Sequence, residues 1–261
     1  MRAANIRISD LISIAKEAGD KILEVYHSKS EYWEVSVKSD ASPLTLADKL
    51  SNEVINRRLL EKFPEIPIIS EENKEIPFED RKHYDLFWLV DPLDGTKEFI
   101  KRNGEFTVNI ALIEHQQAVG GIVYVPCQEK MYYAQQGKGA FIIENGITFP
   151  LHAHEYSLAQ EKLVIVASRS HMNDETIQYI SQFKHAETTS IGSSLKLLLV
   201  AEGKAHIYPR LGPTMEWDTA AAHAIVQEAG GSVVRYEDNN PLIYNKENLL
   251  NPYFIVFGKV V

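Results

Sequence analysis

The sequence predicts an α+β fold for the first half of the chain and an α/β fold for the second half. Residues 1–150 begin with two helical patterns and continue as short apolar segments separated by turn residues, which is the pattern of an antiparallel meander. Residues 151–261 instead alternate strand-like and helix-like segments, as expected of α/β structure. We therefore expect two domains, 1–150 and 151–261, with the functional site between them.

The first half opens with two helices whose apolar residues recur at helical spacing. Leu11 and Ile14 belong to the buried face of the first helix, for which Ser9 or Asp10 is the candidate cap, and the second helix begins within residues 43–48. Short apolar runs then predict strands at residues 66–69, 86–90, 106–112, 120–125, 131–134 and 140–143. The link at 115–118 is predicted to be a hairpin loop.

The second half is predicted to alternate strands and helices. The strands are expected at residues 164–167, 205–208, 232–234 and 254–257, and the helices at residues 175–183, 193–202 and 217–229. Gly230 and Gly231 follow the last helix, as is typical of a helix C-terminus.

The composition is that of an ordinary soluble globular protein, with 44% hydrophobic and 24% charged residues. A net charge of -9 argues against a nucleic-acid polymer as the partner. The single cysteine excludes an intramolecular disulfide and favours a reducing compartment. There is no signal-peptide pattern, and no apolar run approaches the ~20 residues that a membrane helix needs. We therefore expect a cytoplasmic protein; peripheral attachment at the cytoplasmic face of the inner membrane stays open.

The central motif of the chain follows the apolar run at residues 86–90. Asp91 and Asp94 flank Pro92, which stiffens the turn, and Gly95 then lets the backbone approach a ligand closely. Thr96 suits the start of a helix. Two carboxylates on a rigid turn beside a helix start suit a divalent cation and a phosphate together. The alternative for an isolated motif of this kind is a β-turn whose Asp residues only bond the local backbone.

Residues 88–99 resemble the metal-binding signature of the inositol monophosphatase superfamily, the lithium-sensitive, magnesium-dependent phosphatases. The longer run at residues 91–112 is similar to the 3′(2′),5′-bisphosphate nucleotidase branch of the CysQ type. Trp217, Asp218 and the alanines that follow match the second signature of the superfamily, and further motifs extend the resemblance over nearly the whole chain. The resemblance implies a layered α-β-α-β-α sandwich, the inositol monophosphatase-like fold.

The resemblance also implies a Mg²⁺ centre with two or three ions in each active site. Glu71, Asp91 and the carbonyl of Leu93 would hold one ion, and Asp91, Asp94 and Asp218 would hold a second. Hard oxygen ligands of this kind suit Mg²⁺. Each carboxylate alone is more typical of a helix cap or a solvated charge. A third ion near Glu71 stays open.

Asp48 and Thr96 correspond to the pair that, in this superfamily, orients and deprotonates the attacking water. The spacing of Thr45 and Asp48 is also that of an ordinary helix start. The backbone at residues 94–96 would bind the reacting phosphate. The segments at 168–171 and 191–196 would contact the nucleotide. Lys97 and Arg210 are candidates for binding the second phosphate. The implied substrate contacts are Glu71, Asp94, Gly95, Thr96, Lys97, Ser168, His171, Gly192, Lys196, Arg210 and Asp218.

The implied function is hydrolysis of the 3′-phosphate of 3′-phosphoadenosine 5′-phosphate to AMP and phosphate. Some activity on 3′-phosphoadenylyl sulfate, and hence a role in sulfur assimilation, is implied as well. The partner is a small phosphonucleotide, and the chain is expected to be a monomer or a dimer. An inositol monophosphatase or a sugar bisphosphatase would share every metal ligand. A nucleotide-binding sensor without catalysis is the third alternative, but it would not need Asp48 and Thr96.

Overall fold

The computed structural model describes residues 6–38, 43–167 and 172–261. Its helices are α1 (Ile8–His27), α2 (Leu46–Lys62), α3 (Phe78–Arg81), α4 (Thr96–Ile100), α5 (Asp174–Ile180), α6 (Leu195–Ala201) and α7 (Ala220–Glu228). Its strands are β1 (Ser36–Val37), β2 (Pro43–Leu44), β3 (Ile68–Ser70), β4 (Leu86–Asp94), β5 (Thr107–Glu114), β6 (Gln117–Val125), β7 (Lys130–Gln135), β8 (Gly139–Glu144), β9 (Ile147–Leu151), β10 (Glu155–Tyr156), β11 (Val164–Val166), β12 (Glu187–Thr189), β13 (Ile207–Arg210), β14 (Ser232–Arg235), β15 (Phe254–Phe257) and β16 (Lys259–Val260).

The larger sheet has seven strands in the order β3-β4-β5-β6-β7-β8-β9. Strands β4 to β9 form an antiparallel meander, and β3 pairs with β4 in parallel. Alternate residues of β4 face opposite sides. Trp88 and Val90 join the core beneath α1 and α2, and Phe87 and Leu89 join the core beneath α6 and α7. Both faces of this sheet are therefore covered by helices.

The smaller main sheet has five strands in the order β12-β11-β13-β15-β14. Strands β12, β11 and β13 are parallel, whereas β15 and β14 are antiparallel to their neighbours. One face packs on α6 and α7 through the core shared with the larger sheet, and the other packs on α5 through residues such as Tyr179. The layers alternate helix, sheet, helix, sheet, helix, which confirms the predicted sandwich.

Helix α7 lies unusually close to the larger sheet. Ala220, Ala221 and Ala222 are buried against it, and a Cβ atom placed on Gly121 of β6 would lie 2.2 Å from the carbonyl oxygen of Ala221. Only glycine leaves room for this contact, because real Cβ atoms do not approach a backbone oxygen so closely. The contact fixes the position of the residues that precede α7, which include Asp218.

Several predicted boundaries are wrong for identifiable reasons. The first hairpin turn contains only His115 and Gln116 between its strands, and both have positive φ (48° and 65°), so the turn is tighter than the predicted loop. The N-cap of α1 is Arg7 without a side-chain cap bond; Asp10 instead pairs with Arg7 and Lys62. Strand β4 continues to Asp94 through an irregularity in its pairing rather than ending at residue 90.

The helix predicted for residues 217–229 is divided in two. A 3₁₀ turn spans Glu216–Asp218, and α7 begins at Ala220. The larger sheet ends at Leu151, close to the predicted boundary, but the core beneath α6 and α7 contains residues from both halves. The division into domains 1–150 and 151–261 therefore stays a prediction. Among the described helices, none is long and apolar enough to cross a membrane.

Candidate active site

The turn at the end of β4 is held in place by its own side chains and by α2. The N–H of Leu93 donates to Oδ1 of Asp91 at 3.0 Å, and the hydroxyl of Ser51 on α2 donates to the carbonyl of Pro92 at 2.7 Å. Asp91 is 1% exposed. The motif is thus a buried, braced turn, although the Asp91 bond is the local backbone bond expected of an ordinary turn.

Parallel pairing of β3 with β4 brings Glu71 to the same place. Ser70 is opposite Val90, and the N–H of Glu71 donates to the carbonyl of Val90 at 3.1 Å. Asp218 arrives from the other side, on the 3₁₀ turn before α7, where its Oδ2 accepts from the N–H of Met215 at 2.8 Å. The carboxyl ends of two parallel strands and the start of α7 therefore meet at one point.

The carboxyl groups of this cluster repel one another. Burial, followed by the charges of Glu71, Asp94 and Asp218, raises the pKa of Asp91 well above its ordinary value. Burial, followed by the charges of Asp94 and Glu71, likewise raises the pKa of Asp218 well above its ordinary value. Burial also raises the pKa of Asp94 to about 6, against the opposing effect of the Lys196 ammonium. Such a cluster is costly unless a cation neutralises it.

Lys38 supplies a positive charge that the sequence did not single out. Its Nζ lies 2.7 Å from Oε1 of Glu71 and also pairs with Glu72. Burial lowers the pKa of Lys38, but the two carboxylates outweigh burial and raise it. A lysine at the end of a polar stretch has no sequence pattern that distinguishes it, which is why its pairing was not predicted.

The donor set fits Mg²⁺ in chemistry and charge, since four buried or half-buried carboxylates offer hard oxygen ligands. In this structure, however, the carboxylates do not point at a common position where they could coordinate one ion. Within the described ranges, no group of three or more His, Cys, Asp or Glu side chains is positioned to hold a metal ion. Glu71 is turned to Lys38, Asp94 accepts from the N–H of Ser194, and Asp218 accepts from Met215. Metal binding therefore requires these carboxylates to exchange partners.

Asp48 and Thr96, which are far apart in sequence, are hydrogen-bonded. The Thr96 hydroxyl lies 3.1 Å from Oδ1 of Asp48 and 3.4 Å from the carbonyl of Leu93. Oδ2 of Asp48 accepts from the N–H and the hydroxyl of Thr45, at 2.8 Å and 2.6 Å. The ordinary helix cap is therefore present as well. Burial raises the pKa of Asp48 despite these hydrogen bonds.

A cavity of about 150 Å³ opens beside Asp94 and Asp218. It collects five of the expected substrate contacts that are not metal ligands: Gly95, Lys97, Gly192, Lys196 and Arg210. Thr96 is on α4, which forms one side of this region. Ser168 and His171 lie outside the described residues.

Two of the cavity's basic groups have defined surroundings. The Lys196 ammonium donates to the carbonyl of Ser193 at 2.6 Å, and its charge lowers the pKa of Asp94, so it lies at the border between the carboxylates and the cavity. Arg210 donates through Nη2 to the carbonyl of Pro213 at 2.7 Å. Its Nε is buried and has no hydrogen-bond partner among the described residues. Both positions suit a second anionic group.

A second group of residues holds the turn of Asp218 in place, and sequence reasoning missed it. The carboxylate of Glu216, which is 0% exposed, accepts from the N–H groups of Asn245 and Lys246 at 2.6 Å and 3.1 Å. Arg81 reaches the same loop from the first half and donates to Oδ1 of Asn245 and to the carbonyls of Lys246 and Glu247. These partners are too far apart in sequence for any local pattern to reveal them.

Comparison with known proteins places this geometry in a family. The model of the inositol monophosphatase family matches residues 7–253. The chain belongs to the inositol monophosphatase family. Inositol monophosphatase family proteins are in general magnesium-dependent phosphatases, and the carboxylate cluster is consistent with that chemistry. The chain is accordingly an enzyme, a phosphoric monoester hydrolase.

Individual members of the inositol monophosphatase family are similar to the chain over nearly its whole length. The chain is 47% identical over 249 residues to the 3′(2′),5′-bisphosphate nucleotidase CysQ of Salmonella typhimurium, covering 95% of this chain and 98% of that protein. It is 46% identical over 250 residues to the CysQ of Escherichia coli strain K12, with the same coverage. The crystal structure of CysQ from Bacteroides thetaiotaomicron superposes with a TM-score of 0.86 at 42% identity, covering 99% of this chain and 100% of that one.

Proposed function

We propose that the protein is a magnesium-dependent 3′(2′),5′-bisphosphate nucleotidase that hydrolyses the 3′-phosphate of 3′-phosphoadenosine 5′-phosphate to AMP and phosphate. The observation that carries the proposal is the hydrogen bond between Thr96 and Asp48 beside the buried carboxylates, next to a cavity with basic walls. The CysQ relatives at 46–47% identity support the same reaction. Hydrolysis of 3′-phosphoadenylyl sulfate, and a place in sulfur assimilation, belong to the proposal.

The residues of the site divide into those that would bind the metal ions and those that would bind the reacting phosphate. Glu71, Asp91, Asp94, Asp218 and the carbonyl of Leu93 would hold two or three Mg²⁺ ions. Mg²⁺, when bound, neutralises phosphate charge and lowers the pKa of water. Gly95 has a φ of +94°, and a Cβ there would lie 3.1 Å from the carbonyl of Glu105. A glycine at this position therefore lets the backbone of residues 94–96 approach the reacting phosphate.

Asp48 serves as the general base through Thr96. A water oxygen forms the new bond to phosphorus while the bond from phosphorus to the ribose 3′ oxygen breaks; the 3′ oxygen keeps the bonding electron pair and takes a proton from solvent water to become the 3′-hydroxyl of AMP. The proton of that water passes to the Thr96 hydroxyl as the hydroxyl gives its own proton to Oδ1 of Asp48, 3.1 Å away. Thr45 keeps the other oxygen of Asp48 occupied, so the carboxylate has one orientation.

The cavity would hold the rest of the nucleotide. Lys97, Lys196 and Arg210 offer positive charge to the 5′-phosphate, while Gly192 forms part of the wall. Glu71, Asp94 and Asp218 reach the substrate from the metal side, and Ser168 and His171 remain proposed contacts. The protein acts as a monomer or a dimer.

Phosphate release tests the proposal directly. The substrates are adenosine 3′,5′-bisphosphate, inositol 1-phosphate and fructose 1,6-bisphosphate, each with and without Mg²⁺. We expect the highest kcat/KM for the nucleotide and no turnover without Mg²⁺. Asp91→Asn should abolish turnover in a folded protein, because it removes the carboxylate that would bind two of the ions. A preference for inositol phosphate or for the sugar bisphosphate would replace the nucleotidase assignment by one of those activities.

A further inference from the structure

Glu98 is an acidic side chain in the cavity that also contains three basic residues, and it does not belong to the carboxylate cluster of Asp94 and Asp218 at the border of that cavity. It lies on α4, two residues after Thr96, and contributes to the same wall as Lys97, Lys196 and Arg210. A carboxylate at this position opposes the binding of any phosphate by direct repulsion. Its presence in a site that must accept a doubly phosphorylated molecule therefore needs an explanation.

Contacts with the loop before α6 define the position of Glu98. A Cβ atom on Gly192 would lie 2.7 Å from Cγ of Glu98, so the Glu98 side chain lies directly over that glycine. The N–H of Gly192 donates to Oε2 of Glu105 at 2.7 Å. Of the two glutamates beside Gly192, Glu105 is thus the one that binds this loop, and Glu98 is left facing the cavity.

The Glu98 carboxylate has no partner of its own in the part of the chain that the structure describes. It accepts no hydrogen bond and forms no ion pair there. Its charge nevertheless acts on two other residues of the cavity, Asp94 and Lys196. Burial is the main cause of the raised pKa of Asp94, and the charge of Glu98 raises it further. Burial lowers the pKa of Lys196, and the charge of Glu98 partly offsets this decrease. Glu98 therefore lines the cavity within electrostatic reach of both Asp94 and Lys196.

A carboxylate can only accept hydrogen bonds, so it favours the parts of a ligand that donate them. In a nucleoside 3′,5′-bisphosphate, the neutral donors are the ribose 2′-hydroxyl and the exocyclic amine of the base. We infer that Glu98 accepts a hydrogen bond from one of these neutral donors and thereby determines which nucleoside the enzyme prefers. This inference rests on the proposed nucleotidase function and extends it to the recognition of the nucleoside.

Specificity follows from the cost of leaving the carboxylate unpaired. A site built to bond a donor rejects an analogue that lacks it, because the buried acceptor then loses its water without gaining a partner. For a charged acceptor we expect a loss of about 10- to 100-fold in kcat/KM. The donor also offsets part of the repulsion that Glu98 exerts on the phosphates.

Three substrates separate the two candidate donors: adenosine 3′,5′-bisphosphate, its 2′-deoxy analogue, and inosine 3′,5′-bisphosphate, in which an oxo group replaces the amine. Each is measured with the wild type, Glu98→Met and Glu98→Gln. Methionine keeps the length of the side chain and accepts only weakly, while glutamine can also donate. Glu53→Met is the matched control, since it removes the same charge from an exposed position on α2, outside the cavity.

The wild type should lose about 10- to 100-fold in kcat/KM on one of the two analogues. Glu98→Met should lose that discrimination, whereas Glu53→Met should keep it. Loss of discrimination for the 2′-deoxy analogue identifies the ribose hydroxyl as the donor. Loss of discrimination against the inosine analogue in Glu98→Met identifies the amine of the base as the donor. Glu98→Gln should then gain activity on the inosine analogue, because its amide can donate to the oxo group.

Three contrary results are distinguishable. If the wild type hydrolyses adenosine 3′,5′-bisphosphate and Glu98→Met retains full discrimination on both analogues, the inference about Glu98 is wrong and the nucleotidase function stands. If the wild type turns over inositol 1-phosphate but no 3′-phosphonucleotide, the proposed function is wrong, whatever the Glu98 variants do. A shift in discrimination with Glu53→Met as large as that with Glu98→Met would also overturn the inference.

Discussion

Asp48 is buried, and each of its carboxylate oxygens has a different partner. Thr45 holds one oxygen and Thr96 reaches the other. This division explains how a residue that caps a helix can also act as a base. The cap uses the oxygen that bonds Thr45, the residue before α2, and leaves the second oxygen for the proposed proton transfer.

Removing either member of the Asp48–Thr96 pair should lower kcat and leave KM nearly unchanged. Asp48→Asn and Thr96→Val are each expected to cost about 10²- to 10⁴-fold, the usual contribution of a general base. Because the two groups act as one relay, the double variant should be little slower than the slower single variant. Steady-state kinetics of the three variants provide the check, and losses that multiply would contradict a single relay.

If the carboxylates around Asp91 bind Mg²⁺ as proposed, protons compete with the ion for them. The folded-state pKa of Asp94 is about 6, against an ordinary 3.8, so the folded chain binds protons more tightly than the unfolded chain. The contribution of Asp94 to the free energy of unfolding therefore falls as the pH rises from 3.8 to about 6. Cation binding removes the penalty, and the rise in Tm with Mg²⁺ should be larger at about pH 7.5 than at about pH 5. Thermal unfolding measures this difference; an equal shift at both values would contradict it.

At the scale of single elements, α7 depends on the absence of a side chain in β6. Gly121→Ala would force the helix away from the sheet, because its Cβ would lie 2.2 Å from the Ala221 oxygen. We expect a loss of about 1 to 3 kcal/mol in the free energy of unfolding. Gly120→Ala is the matched control, since its Cβ would meet nothing closer than 3.6 Å. Urea unfolding should separate the two variants, and equal stabilities would show that the close approach is not limiting.

Local sequence predicted the central strand and its turn well, because β4 and the motif from Asp91 to Thr96 are contiguous in the chain. The hairpin between β5 and β6 was predicted, but its loop was predicted two residues too long, since His115 and Gln116 form the whole turn with positive φ although neither is glycine. Lys38 was missed because its partners, Glu71 and Glu72, are distant in sequence. Pairings of this kind depend on the register of β3 against β4, which no short pattern encodes.

At the scale of the whole molecule, Arg81 joins the two halves of the chain near the proposed metal ligands. It is 3% exposed and bonds a side-chain oxygen and two carbonyls of the loop at 245–247, and Glu216 holds the same loop from the other side. Asp218 lies two residues after Glu216. The position of Asp218 relative to the other carboxylates that we propose as metal ligands therefore depends on a contact between α3 and a distant loop.

Arg81→Met should lower the free energy of unfolding by about 2 to 4 kcal/mol, because it leaves several buried acceptors without a donor. It should also reduce the rise in Tm caused by Mg²⁺, since Asp218 loses its support. Arg57→Met is the control: Arg57 makes surface ion pairs with Glu17 and Glu61, which are worth about 0 to 1 kcal/mol. Chemical and thermal unfolding with and without Mg²⁺ measure both effects, and matching results for Arg57→Met and Arg81→Met would exclude the proposed support.

The order of strands in the larger sheet also has a kinetic consequence. From β4 to β9, each strand pairs with the next one along the chain, so the meander can form by closing short loops, which costs little entropy. Asp218 joins the other carboxylates only after α7, from the second half of the chain, has packed on β6. A cation that needs Asp218 therefore binds a chain that has already folded. Mg²⁺ is accordingly expected to slow unfolding and to leave the rate of refolding nearly unchanged.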